Sequence, residues 1–176
     1  MKIGLCGTQS VGKTTLVKEL IKLPEFKDYH LATERSKYLM NLGIPLNTDS
    51  TLKGQTIFLA ERCSELMHEN LITDRTVVDV MAFTKAAKSI NDIDQEAYTD
   101  YASRFISEYD YLFYIDPKGT EIEDNGVRET DKKYRDLIDF IIRHTLRFYS
   151  HKIKNLTTIY GTTENRLLQI KEAIYS

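Results

Sequence analysis

Residues 7–14 read GTQSVGKT and satisfy the pattern G-x-x-x-x-G-K-[ST] at every fixed position. Those residue types at that spacing offer one kind of chemistry. Gly7 and Gly12 let the backbone turn tightly and aim successive N–H groups at one anion. Lys13 adds a positive charge for the β- and γ-phosphates of a nucleoside triphosphate, and a Thr14 hydroxyl in this place is a magnesium ligand. A helix opening near Lys13 adds the partial positive charge of its N-terminus. The expected ligand is ATP with Mg2+, held by Gly7, Gln9, Ser10, Val11, Gly12, Lys13, Thr14 and Thr15.

Moving a phosphoryl group needs positioning and charge neutralisation more than covalent chemistry. A carboxylate beside the acceptor hydroxyl orients it and takes its proton. Two acids stand where strands should end. Asp74 closes the run Leu71-Ile72-Thr73-Asp74, with Arg75 next, and Glu34 follows a weaker strand candidate over 29–32. Each has a plainer reading: Asp74 as the cap of the next helix, Glu34 as a first-turn acid favouring a helix dipole. The polar stretch 117–128 holds Gly119, Gly126 and Arg128, and a lid over about 117–135 would exclude water from the reaction. Lys132, Lys133 and Arg135 read as a solvated helix face, and Asp92, Asp94 and Glu96 as a solvated loop. Arg166, after the last strand, is placed to stack on the adenine. Tyr38, Phe58, Phe83 and Tyr101 are further candidates to stack on a base.

The elements that must position these residues alternate. Strands are expected at 3–6, 29–32, 70–73, 111–115 and 156–160. Helices are expected at 13–23, 34–42, 51–69, 76–90, 98–107, 134–149 and 164–174. In the helix over 51–69 the buried stripe reads Ile57, Leu59, Cys63, Leu66 and Met67. Such alternation implies an α/β fold, a five-stranded parallel sheet with helices on both faces. Its ligands bind beyond the C-terminal ends of the strands, where every candidate above falls.

The 176 residues suit one domain over 1–176. A formal net charge of −2 argues against a basic nucleic-acid-binding surface, so no nucleic-acid partner is expected. No apolar run reaches membrane-spanning length, so no membrane partner is expected. The opening MKIGLCG reads as a strand, not a signal peptide, and Cys6 and Cys63 read as reduced thiols of a cytoplasmic protein. His30, His68, His144 and His151 form no metal set. The guanine-reading and switch motifs of a GTPase are missing; Thr130-Asp131-Lys132-Lys133 does not supply them.

Taken in order, GTQSVGKTT at 7–15, TERSKYL at 33–39, GQTIFLAERC at 54–63, ITDRTVVDVMAFTK at 72–85, YDYLFYIDP at 109–117 and DNGVRETDKKYR at 124–135 resemble one family. The chain looks like the P-loop kinase domain of bacterial nicotinamide-riboside kinases and, more loosely, like deoxynucleoside and thymidylate kinases. The resemblance implies that Glu34 contacts the acceptor hydroxyl, Asp74 sits near magnesium and the reacting hydroxyl, Arg128 reaches the transferring phosphoryl, and Gln55 reads a base or amide. Lys37 stands where the riboside kinases favour arginine, and Arg75 is present where they lack one but thymidylate kinases have it. The expected activity is transfer of the γ-phosphoryl of ATP to a (deoxy)nucleoside or its monophosphate. For a monophosphate, Arg35, Lys37, Arg62 and Arg75 could supply the extra positive site. Two other readings remain at this stage: a kinase acting on a base or end of DNA, and an ATP-binding regulator without turnover. A homodimer is left open.

Overall fold

Short β-rich runs and amphipathic helical stretches alternate along the chain, and in the computed structural model they assemble as a three-layer sandwich. The structure describes residues 1–33, 35–118 and 132–176. Glu34, Gly119, Gly126, Arg128 and most of the 117–135 segment therefore lie outside the described residues.

The strands are β1 (Lys2–Cys6), β2 (His30–Ala32), β3 (Leu71–Thr73), β4 (Tyr111–Ile115) and β5 (Leu156–Ile159). All pair in parallel, in the order β2-β3-β1-β4-β5. The helices are α1 (Lys13–Leu20), α2 (Ser36–Asn41), α3 (Leu52–Glu65), α4 (Val77–Ala86), α5 (Asp92–Ser103), α6 (Lys132–Phe148) and α7 (Thr163–Tyr175). α1 and α7 cover one face, where Leu16, Val17, Leu20 and Ile170 pack on Ile3, Leu5, Phe113 and Ile159. The other face is covered by α3 to α6, with the almost wholly buried α4 at its centre. Both faces of β1 and β4 are thus buried, which accounts for their unbroken apolar runs.

Several expected boundaries move for local reasons. α1 stops at Leu20 and a 3-10 turn over Pro24–Phe26 follows, because proline cannot continue the helix. α3 ends at Glu65, so Met67 lies beyond it and is 84% exposed, outside the stripe assigned to it. α4 ends at Ala86, and residues 88–89 instead tie down the segment 48–50: Lys88 N donates to Thr48 O at 3.1 Å and Ser89 Oγ to Ser50 O at 2.5 Å. Asp92, Asp94 and Glu96 are not a loop. They open α5, which starts six residues earlier than expected; Asn91 Oδ1 caps it by accepting from Asp94 N at 2.9 Å. Acids in a first turn complement the helix dipole, so their charge marks a helix start. No described helix is long and apolar enough to cross a membrane.

Gly4 lets α4 approach the sheet. A Cβ there would lie 2.6 Å from Thr76 Cγ2 and 2.9 Å from Tyr109 Cδ1. Gly4→Ala should lower the unfolding free energy by about 1–3 kcal/mol through overpacking. Urea titration reads this, and an unchanged midpoint would mean that α4 can shift freely.

Candidate active site

The loop after β1 takes the backbone geometry its glycines allow. Gly12 has φ 83° and Ser10 φ 58°, both left-handed. The turn delivers the chain into α1, whose N-cap Gly12 offers no side-chain acceptor to the first-turn N–H groups. That end of the helix therefore suits an anion. Lys13 is buried beneath the loop. Its Nζ donates to Gly7 O at 2.5 Å and Thr8 O at 2.8 Å, and lies 4.0 Å from Asp79 Oδ1. Burial lowers its pKa to about 8, helped by the Arg75 charge and opposed by Asp79 and Asp74.

β1 and β3 are neighbours in register, Gly4 beside Thr73, so their C-terminal ends bring Thr14 and Asp74 together. Thr14 Oγ1 donates to Asp74 Oδ2 at 2.5 Å. Asp74 has no solvent exposure and does not cap α4; Thr76 does. A hydroxyl and a carboxylate side by side are two hard oxygen donors next to a phosphate cradle. This fits Mg2+, which is held by one or two protein oxygens and completed by phosphate and water. Among the described residues no group of three or more His, Cys, Asp or Glu forms a metal cage.

Three braces hold the loop; sequence reasoning missed Asp79, put Arg135 on a solvated face, and named Arg166 for the adenine without its hold on the loop. Asp79, on α4, is fully buried; Oδ1 accepts from Gly7 N at 3.2 Å and Oδ2 from Thr76 N and Oγ1, both at 2.8 Å. The signal was present as the capping box Thr76-x-x-Asp79. Arg135 does not belong to the solvated face. Lys132 and Lys133 are exposed, but Arg135 is 8% exposed, its Nε donates to Gln9 O at 3.2 Å, and its carbonyl accepts from Thr8 Oγ1 at 3.0 Å. Arg166 is also buried, and its Nη1 donates to Val11 O at 2.6 Å, so that guanidinium edge supports the loop backbone.

Beside the loop a pocket opens, about 740 Å³ including its mouth, lined by Gln9 of the loop and by Arg75. Phe58, Phe83, Val80 and Leu46 give it apolar walls. Of the four aromatic candidates it therefore takes two. Tyr38 is exposed with Arg35 over its ring at 4.5 Å, and Tyr101 is exposed and packs on Phe105. Gln55 lines the pocket at 3% exposure, and its Oε1 has no hydrogen-bond partner among the described residues; the same holds for Ser50 Oγ and Arg62 Nε. A buried polar atom left unpaired is costly, so a wall with three of them calls for a polar ligand or water. Arg35, Lys37, Arg62 and Arg75 all reach this pocket. Arg75 stacks over Phe83 at 4.7 Å, and Arg62 pairs with Glu65 at 2.5 Å and Glu61 at 3.8 Å.

A model of the AAA domain family matches residues 2–166. The chain belongs to that family. No curated protein matches the sequence. Among solved structures, this AAA-domain chain is similar to the deoxyadenosine kinase of M. mycoides with products dCMP and a flexible dCDP bound: TM-score 0.67, 18% identity, covering 99% of this chain and 98% of that one. It is similar to the NadR protein in complex with NR, at TM-score 0.73 and 16% identity, over 97% of this chain but 50% of that one. It is also similar to the YorR protein of Bacillus subtilis, in complex with phosphorylated GDP, at TM-score 0.57 and 17% identity, over 99% and 95%. At these identities the likeness is one of fold, and the fold is the P-loop kinase type that the motifs resembled.

The low pKa of Lys13 gives the AAA-domain loop a pH signature. Below pH 8 the amine carries its charge; above it a triphosphate can recruit the charge only with uptake of a proton. The Kd for ATP, by calorimetry, should stay flat below about pH 7 and rise up to about tenfold per unit above pH 8. Lys13→Met should bind weakly at every pH and lose the slope. A wild-type Kd flat through pH 9.5 would show that Lys13 is charged throughout.

Proposed function

We propose that this protein is an ATP- and magnesium-dependent kinase. It would move the γ-phosphoryl group to a (deoxy)nucleoside or a (deoxy)nucleoside monophosphate. One observation carries the reading: a pocket whose wall holds amide, hydroxyl and guanidinium atoms with no partner among the described residues shares Gln9 with the phosphate loop and Arg75 with the end of β3. A protein that only held ATP needs no second pocket there. The deoxyadenosine kinase and NadR likenesses support the same reading.

In this reading ATP lies with its phosphates on Gly7 to Thr15, and Lys13 leaves the Gly7 and Thr8 carbonyls for the β/γ oxygens. Thr14 and Asp74 would hold magnesium, which supplies positive charge against the phosphates. The acceptor's flat base enters between Phe58 and Phe83, where Gln55 and Arg62 can meet its polar edge. Asp74 or Glu34 would orient its hydroxyl and accept the proton as the new O–P bond forms and the bond to the β-phosphate oxygen breaks. Arg75, and Arg128 from the lid, would offset charge on the transferring group. A monophosphate acceptor would set its phosphate against Lys37, Arg35 and Arg75.

The test is ADP release across a panel of nucleosides and monophosphates. Turnover on a restricted set is expected, with Asp74→Asn lowering it by about 10²–10⁴-fold. Acceptors confined to monophosphates would assign the cations to the acceptor phosphate, and nucleosides alone would leave them to the ATP side. ATP binding with no acceptor-stimulated release would sink the proposal.

A further inference from the structure

Glu65 ends α3 just outside the pocket lining, with 14% of its side chain exposed. Its two oxygens serve different parts of the site. Oε1 accepts from Arg62 Nη2 at 2.5 Å, and Arg62 is a buried guanidinium in the pocket wall. Oε2 accepts from Thr73 Oγ1 at 3.2 Å. Thr73 closes β3, and its hydroxyl lies 2.9 Å from Arg75 O and 3.4 Å from Arg75 N, across the turn that carries Asp74. We infer that Glu65 is a positioning residue that fixes Arg62 against the acceptor and, through Thr73, fixes the turn presenting Asp74 and Arg75. The inference rests on the kinase reading above and adds to it the link between the acceptor pocket and the catalytic strand end.

The chemistry of Thr73 makes the link sensitive to charge. A hydroxyl has one proton, so it can satisfy Glu65 or the Arg75 carbonyl, not both. An ionised Glu65 draws that proton and holds Arg62 by a charge-assisted bond. A neutral carboxyl can instead donate to Thr73, free its proton for Arg75, and hold Arg62 less firmly. Burial raises the Glu65 pKa to about 7; Glu61 and Asp74 add to the rise, while Arg62 and the Thr73 bond oppose it. The groups around it are Arg62 and Glu61 on α3, Thr73 and Asp74 at the end of β3, and Tyr109 before β4, with Arg35 paired to Glu61 at 3.5 Å.

The experiment uses the full chain and its best acceptor. Glu65→Gln keeps the shape and the hydrogen bond to Thr73 but removes the charge. At pH 8 the acceptor KM should rise about tenfold or more, while kcat at saturating acceptor and the KM for ATP change less than about twofold. The wild-type fall in acceptor KM from pH 6 to 8 should vanish in Glu65→Gln, and Glu65→Asp should recover part of the affinity. Thr73→Val keeps the Arg62 pair and should lower kcat several-fold with little change in acceptor KM. Should Glu65→Gln not fold, Glu65→Asp and Thr73→Val carry the test. An unchanged acceptor KM in Glu65→Gln, or KM, kcat and ATP affinity all worsening together in the variants, would overturn the inference and leave the kinase reading standing. No acceptor turnover by the unmutated protein would overturn both.

Discussion

Asp79 lies wholly out of solvent between the first N–H of the phosphate loop, the cap of α4 and the Lys13 ammonium, and the rest of the site is arranged around the need to satisfy it. A carboxylate cannot be buried without partners, because its desolvation is large. Its partners here are the parts a phosphate loop must hold still. Gly7 N fixes where the loop leaves β1, Thr76 fixes where α4 begins, and Lys13 stays within reach of the phosphates. The Gly7 and Thr8 carbonyls are the lysine's nearest acceptors, with Asp79 farther off at 4.0 Å, so the oxygens a phosphate must first displace are neutral ones.

The strand order then decides what meets what. From β1 the chain builds outward to β3 on one side and β4 on the other, so the crevice of the sheet opens at the C-terminal end of β1. β3 puts Asp74 against Thr14 there, and Gly7 lies beneath the end of β4, where a Cβ would come 3.2 Å from Ile115 O. α6 and α7 close the loop from the far side through Arg135 and Arg166. Nucleotide loop, carboxylate and pocket thus converge on one sheet edge without any single element carrying them all.

The phosphate loop and the sheet were legible in the sequence because both are local. Glycine spacing states a turn, and apolar runs broken by polar turns state buried strands. The braces are not local. Asp79, Arg135 and Arg166 reach loop residues 72, 126 and 155 positions away, and no pattern along the chain encodes such a meeting. Arg135 shows the limit well: its neighbours Lys132 and Lys133 are solvated, and only the helix phase, set by Tyr134 and Ile138 facing inward, turns Arg135 to the loop. Asp92 and Asp94 were misread for a different reason, since acids signal both solvated loops and helix starts. Gln55 was named through family resemblance alone; that its Oε1 would be buried, with no partner among the described residues, depended on how α3 packs.

The pocket's charges also divide by depth. Arg62 is 2% exposed, and two carboxylates offset its charge. Side chains of Arg35 and Lys37 are exposed. A buried guanidinium with no counter-charge would be costly, so Glu65 and Glu61 offset Arg62 while leaving donors for a ligand's edge. The exposed cations are screened by solvent, and Arg35 is also paired with Glu61 at 3.5 Å. A flat, uncharged, polar-edged group therefore suits the inner end, and an anionic group suits the side where Arg35 and Lys37 stand. In the proposed kinase reading, a nucleoside would use only the first of these environments and a monophosphate could use both.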